Sequence, residues 1–210
     1  MTSDGEDFSR NVFINCPFDA KYSKLLRPIL FTIIYLGYNP RIASERSDSG
    51  EARFSKICEL ISGSKFSIHD ISRLKASKRL EYYRLNMPFE LGVDIGCRLF
   101  GNDKVKGKRC IIFEKEKYSY QKALSDLSGF DIKAHNNKPR KIVEELRHWF
   151  VENDAIMADS VTIIWDNFNL FMTDFELAAT AKGYEQKDIQ KMGVLEFIYF
   201  IKEWLSNKKK

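Results

Sequence analysis

The chain has 210 residues, a length that suits one domain or one domain with a small appendage. Hydrophobic residues make up 44% and charged residues 30%, a globular balance that excludes a fibrous or disordered chain. The net charge of +5 is spread out: residues 1–150 carry 27 Lys and Arg against 19 Asp and Glu, and residues 151–210 carry 7 against 10. Such a surface suits an anionic small molecule as well as a polymer, solvated loops and helix ends being the plainer reading, and a nucleic-acid partner is not expected.

The segment Met1 to Arg10 is polar and acidic, unlike a signal or transit peptide, so a cytoplasmic protein is expected. Asn11-Val12-Phe13-Ile14-Asn15 is apolar without a helical period and predicts a strand, followed by a turn at Cys16-Pro17-Phe18-Asp19. Tyr22 to Leu36 predicts a helix ended by Gly37. The longest apolar stretch, about 29–36, is too short for a bilayer, so no membrane partner is expected. Tyr38 to Ala43 predicts a second strand, Ser44 to Gly50 a polar loop, and Glu51 to Ser62 a helix with Phe54, Ile57, Cys58 and Ile61 inward.

Lys65 to Asp70 predicts a third strand ending in a carboxylate; residues 72–86 are long, charged and irregular. His69 lies within that strand and reads as a packed or hydrogen-bonded histidine. Pro88 opens a helix over about 89–99, in which Gly92 and Gly96 suggest close approach to the sheet. Arg109 to Phe113 predicts a fourth strand, Tyr118 to Leu127 a helix, Phe130 to Ala134 a fifth strand and Pro139 to Val151 a closing helix. Strands alternating with helices imply an α/β fold: an open five-stranded parallel sheet with helices on both faces.

From about residue 152 only helices are predicted, over 161–181, 187–190 and 194–205, with an aromatic stripe read as core or subunit interface. The expected division is therefore a nucleotide-binding domain at 1–151 and a helical appendage at 152–210. Four cysteines spread singly, without ligand-spaced histidines, read as free thiols; no metal site is expected.

In an open parallel sheet, ligands bind beyond the carboxyl ends of the strands. Those ends hold Asn15, Phe18 and Asp19 after the first strand and Arg46 after the second. Asp70 and Ser72 follow the third, and Asn86 and Met87 precede the next helix. Glu90 is expected in the first turn of that helix, where the dipole favours an ionised carboxylate. An ionised carboxylate beside a sugar C1 can stabilise an oxocarbenium-like centre or attack it. No Gly-x-Gly-x-x-Gly loop, Walker loop or serine elbow is present.

Four stretches, Val12-Phe13-Ile14-Asn15, Ile68-His69-Asp70-Ile71-Ser72, Asn86-Met87-Pro88-Phe89-Glu90-Leu91-Gly92 and Lys108-Arg109-Cys110-Ile111-Ile112, occur in this order. Together they resemble the TIR-like and nucleoside 2-deoxyribosyltransferase-like superfamily, clearly over about 10–115 and more weakly to 150. The resemblance implies a flavodoxin-like sheet and cleavage of an N-glycosidic bond in NAD, a nucleotide or a nucleoside. It implies Glu90 as the catalytic carboxylate, Asp70 as a base- or sugar-contacting acid and Asn86 as a helix-start ligand. Asn15, Phe18 and Arg46 would shape the pocket, with Phe18 stacking on a base. NAD or the nucleotide would be substrate, with no cofactor. A homo-oligomer, an anti-phage defence context and a defence-system partner protein also follow from it. Two other readings of the same fold are a nucleotide-signal sensor without turnover and a protein-interaction adaptor. The departure from the family pattern is Asn-Met-Pro where many relatives have Asn-Pro.

Overall fold

A computed structural model of the chain describes residues 8–45, 48–74 and 85–208. Five strands, β1 (Asn11–Asn15), β2 (Asn39–Arg41), β3 (Phe66–Asp70), β4 (Arg109–Glu114) and β5 (Lys133–Ala134), form one sheet. The order is β2-β1-β3-β4-β5 and every pairing is parallel. This is the α/β, flavodoxin-like arrangement expected, with additional helices at the C-terminus. The chain steps from β1 outward to β2 and then returns to β3 on the other side of β1. The strand order therefore reverses between β1 and β3, which makes that pair the topological switch point.

By internal contacts the chain forms two compact units, each discontinuous in sequence. The first comprises Met1–Pro17 with Asn39–Lys138 and contains the whole sheet; the second comprises Phe18–Tyr38 with Pro139–Lys210.

In the sheet unit, every residue of β1 and of β3 is buried, as the continuous apolar run of a two-sided strand requires. Helix α1 (Ser23–Tyr35) belongs to the other unit; α2 (Arg53–Ser62) and α3 (Asn86–Phe100) belong to this one. Ile57, Leu60 and Ile61 recur at helical spacing on α2 and pack with Phe13 of β1, joined by Val93 and Cys97 of α3. Burying each such side chain contributes about 1.5–3 kcal/mol. Phe54, expected inward, is 49% exposed. It stands in the first turn of α2, outside the Phe13 cluster, and meets Phe89 of α3 at 5.5 Å between ring centroids.

Two further expectations fail here. Among the described residues, which include the whole sheet, a Cβ at Gly92 or Gly96 would meet nothing within 4 Å, so close helix–sheet packing does not account for these glycines. Each still costs about 1 kcal/mol against alanine in a helix interior. The helix expected over 118–127 is instead two 3₁₀ turns, Ser119–Lys122 and Ser125–Leu127, after a short helix α4 (Asp103–Lys106) and β4. The Glu114 carboxylate at the end of β4 ties down the start of this segment. It accepts from the backbone N–H of Tyr118 at 2.7 Å and of Tyr120 at 3.2 Å, and from the Ser119 hydroxyl at 2.9 Å. Tyr118 stands at φ 65° before the first turn, and Leu124, at φ −135° and ψ 61°, breaks the segment between the two turns.

The second unit contains α1, α5 (Pro139–Asp154), α6 (Val161–Ala181), α7 (Gln186–Lys191) and α8 (Val194–Lys208). The aromatic stripe is core. Phe31 of α1 stacks on Phe171 at 5.4 Å, and Phe175 meets Phe197 and Phe200 edge-on at 5.2 and 5.1 Å. Arg27 lies over the Phe197 ring at 4.9 Å and donates to the Ile189 carbonyl at 2.8 Å. The grouping places α5 with the C-terminal helices. Among the described residues no helix is long and apolar enough to cross a membrane.

Candidate functional site

The switch point is built by Asn15 and His69, register partners on β1 and β3. The Asn15 amide nitrogen lies 2.8 Å from the Met87 carbonyl in α3 and 3.0 Å from Nδ1 of His69. A carbonyl only accepts, so the atom facing it must be the amide N–H₂, whose second hydrogen points at His69. Nδ1 of His69 is therefore an acceptor, and the proton of the neutral ring sits on Nε2. From there it is donated to Oδ2 of Asp94 at 2.8 Å. Ser67, two residues earlier on the same face of β3, donates to that oxygen as well. Lys108 reaches Oδ1 at 3.2 Å, and its ammonium is also held by the carbonyls of Ile61, at 2.7 Å, and Ser64. Burial pushes the Asp94 carboxyl upward, but His69, Lys108 and Ser67 together outweigh it and hold the group at about 2.

Glu90 lies one turn before Asp94 on α3, so both carboxylates share a face of the helix. The helix begins at Asn86 rather than near Phe89, which puts Glu90 beyond the first turn. The expected dipole stabilisation is therefore corrected: burial dominates and raises the Glu90 pKa, while the Arg53 guanidinium lowers it. Glu90 is 6% exposed, and among the described residues its ion-pair partner is Arg53 at 3.8 Å, a side chain that is itself 66% exposed.

Asp70 is wholly buried. Its Oδ1 accepts the backbone N–H of Ser72 at 2.8 Å, and its Oδ2 lies 3.1 Å from Nε2 of His135. The Ser72 hydroxyl is 2.8 Å from the same Nε2. This Ser–His–Asp grouping is not a nucleophilic triad. The backbone N–H of Asn137 donates to Nδ1 of His135 at 2.9 Å, so Nε2 carries the proton and cannot take one from Ser72. The left-handed pair Asn136 and Asn137, at φ 52° and 55°, makes that turn. In this geometry Asp70 and Ser72 fasten the end of β3 to the loop after β5.

The remaining expected residues are distributed as follows. Met87 enters through its carbonyl, and Asn86 is exposed at the first position of α3. Phe18 and Asp19 belong to the second unit, where they line a cavity of about 250 Å³ with Arg27, Lys191 and Phe197. Asp19 caps its own turn, accepting from the N–H groups of Lys21 and Tyr22 at 3.1 Å each. Arg46 lies outside the described residues. Sequence reading missed Arg53, Asp94, Lys108 and the bonding of His135. Asp94 carried a signal, since it falls four residues after Glu90 on the face that buries Leu91. His135 carried none, because its partners lie 63 and 65 residues away.

No protein-family model matches the chain, and no curated protein matches it in sequence.

Proposed function

We propose that the sheet unit binds a nucleotide-type molecule beside the β1/β3 switch point and cleaves its N-glycosidic bond, with Glu90 as the catalytic carboxylate. The observation that carries this reading is an accounting of the buried acids. Among the described residues these are Asp70, Glu90, Asp94 and Glu114. Asp70 is held by Ser72 and His135, Asp94 by His69, Ser67 and Lys108, and Glu114 by the 118–120 turn. Among the described residues Glu90 is left with one long ion pair to an exposed partner and a pKa raised by burial, whereas Asp94, although its Oδ1 accepts no hydrogen bond, keeps a 3.2 Å ion pair to the buried Lys108. Buried, weakly committed and perturbed groups of this kind concentrate at functional sites. The resemblance of the Asn86–Gly92 segment to the TIR-like and deoxyribosyltransferase-like superfamily points to the same residue.

The accounting also bears on substrate. The base of an ordinary nucleoside leaves as an anion unless an acid protonates it, which calls for a second carboxyl group. The nicotinamide of NAD leaves as a neutral pyridine and needs no such proton. With the other buried acids committed to structural bonds, a single carboxylate at C1 fits NAD better than a plain nucleoside. In the reaction the C1–N bond breaks with its electron pair going to the departing ring. Glu90 stabilises or traps C1, and water completes the hydrolysis. The test is base release from NAD, nucleoside monophosphates and nucleosides in parallel, by the purified full chain at high concentration. The reading expects nicotinamide release to dominate; release only from unmodified nucleosides would contradict the substrate assignment.

A further inference from the structure

Helix α3 is amphipathic in the inverted sense. Its acids Glu90 and Asp94 are buried, whereas the stripe on the opposite side of the helix carries no charge, the exposed Arg98 lying off it. Along that stripe lie Leu85, Phe89, Gly92, Gly96 and Leu99, spaced four, three, four and three residues apart, with Phe100 beside the last. Leu85, Phe89, Leu99 and Phe100 are 59, 57, 63 and 89% exposed, and Phe54 of α2 adds a further ring against Phe89. The spacing is that of a helix–helix seam rather than of a solvated face. Among the described residues nothing lies within 4 Å of a Cβ built at either glycine, so none of them repays the cost of these glycines to the helix.

We infer that this face of α3 is the two-fold interface of a homodimer, with α3 packed antiparallel against α3 of a second copy. The order of side chains selects that occupant. Phe89, Gly92, Gly96 and Leu99 are spaced three, four and three apart, a sequence symmetric about residue 94. In an antiparallel pair Phe89 falls opposite Leu99 of the partner and Gly92 opposite Gly96 of the partner. Large residues then meet large ones, and the glycines let the helix axes approach. Self-complementarity of one patch is what an isologous contact requires. The area is of the right order: taking about 200 Å² for each large apolar residue when fully exposed, the five together offer about 600 Å² per copy. A stable interface removes about 800 Å² per partner, and monomers rarely leave a patch of this size uncovered. The inference is independent of whether Glu90 is catalytic.

Sedimentation velocity on the full chain, at concentrations up to about 100 µM, tests it. The wild type should sediment as a dimer. Leu99→Glu, on an exposed position, should weaken association about 30-fold or more while leaving the circular dichroism spectrum unchanged. Gly96→Leu projects into open space and should also give monomers, without loss of thermal stability. A wild type that stays monomeric throughout, or a dimer that survives both substitutions, overturns the inference.

Discussion

Asn15 and His69 are joined twice, as register partners on adjacent parallel strands and by a 3.0 Å bond between their side chains. Through the second hydrogen of the same amide, Asn15 also holds the Met87 carbonyl, so the end of β1, the end of β3 and the start of α3 meet at one group. Glu90 projects from α3 one turn further on.

The amide at position 15 must donate in both directions. Asn15→Asp supplies only acceptors and sets a carboxylate against the Met87 carbonyl. We expect a loss of about 2 kcal/mol or more at neutral pH, the scale of leaving buried partners unmet, read from urea unfolding. An unchanged midpoint would show that the bond to Met87 does not carry the junction.

Acid stability should report on Asp94. Its folded pKa of about 2 lies below its ordinary 3.8, so the stabilisation is complete above pH 4 and is lost as pH falls through 2. The difference corresponds to about 2 kcal/mol. Asp94→Asn should lose this pH dependence, and at neutral pH it should be less stable by about 3–5 kcal/mol because Lys108 is left buried without its counter-charge. Unfolding curves between pH 5 and 2 for both proteins make the comparison.

Glu90 has the opposite sign. Its folded pKa is raised, so its favourable contribution is present below the ordinary 4.5 and is lost as pH rises through the folded value. Glu90→Gln should therefore raise the melting temperature at neutral pH, with the gain shrinking as pH falls below 4.5. A variant less stable than wild type at pH 7 would mean that the carboxylate has a structural role.

Ser72 should be chemically inert. With the proton of His135 fixed on Nε2, no base activates the hydroxyl, and a fluorophosphonate probe should leave the folded protein unlabelled. Labelling abolished by Ser72→Ala would overturn the tautomer assignment.

The alternation of elements was legible because β1 and β3 are short apolar runs and α1, α5 and α6 carry long helical periods. What failed depended on partners distant in sequence or on single side chains. The segment 118–127 has helical spacing, yet its start is tied to the Glu114 carboxylate and its backbone breaks at Leu124. Phe54 satisfies the period of α2 yet falls outside the cluster that the period serves. Asp70 could be placed at a strand end, but its engagement by His135 depends on a loop 65 residues further on. Glu90 could be placed near a helix start, but its electrostatics follow from burial, which a one-dimensional pattern does not give.

The central claim is that Glu90 carries the chemistry, and single-turnover nicotinamide release from NAD by wild type and Glu90→Gln tests it most directly. The account predicts release by wild type and a loss of about 10²–10³-fold or more in the variant, with the fold intact by circular dichroism. Equal release by the two proteins would contradict it.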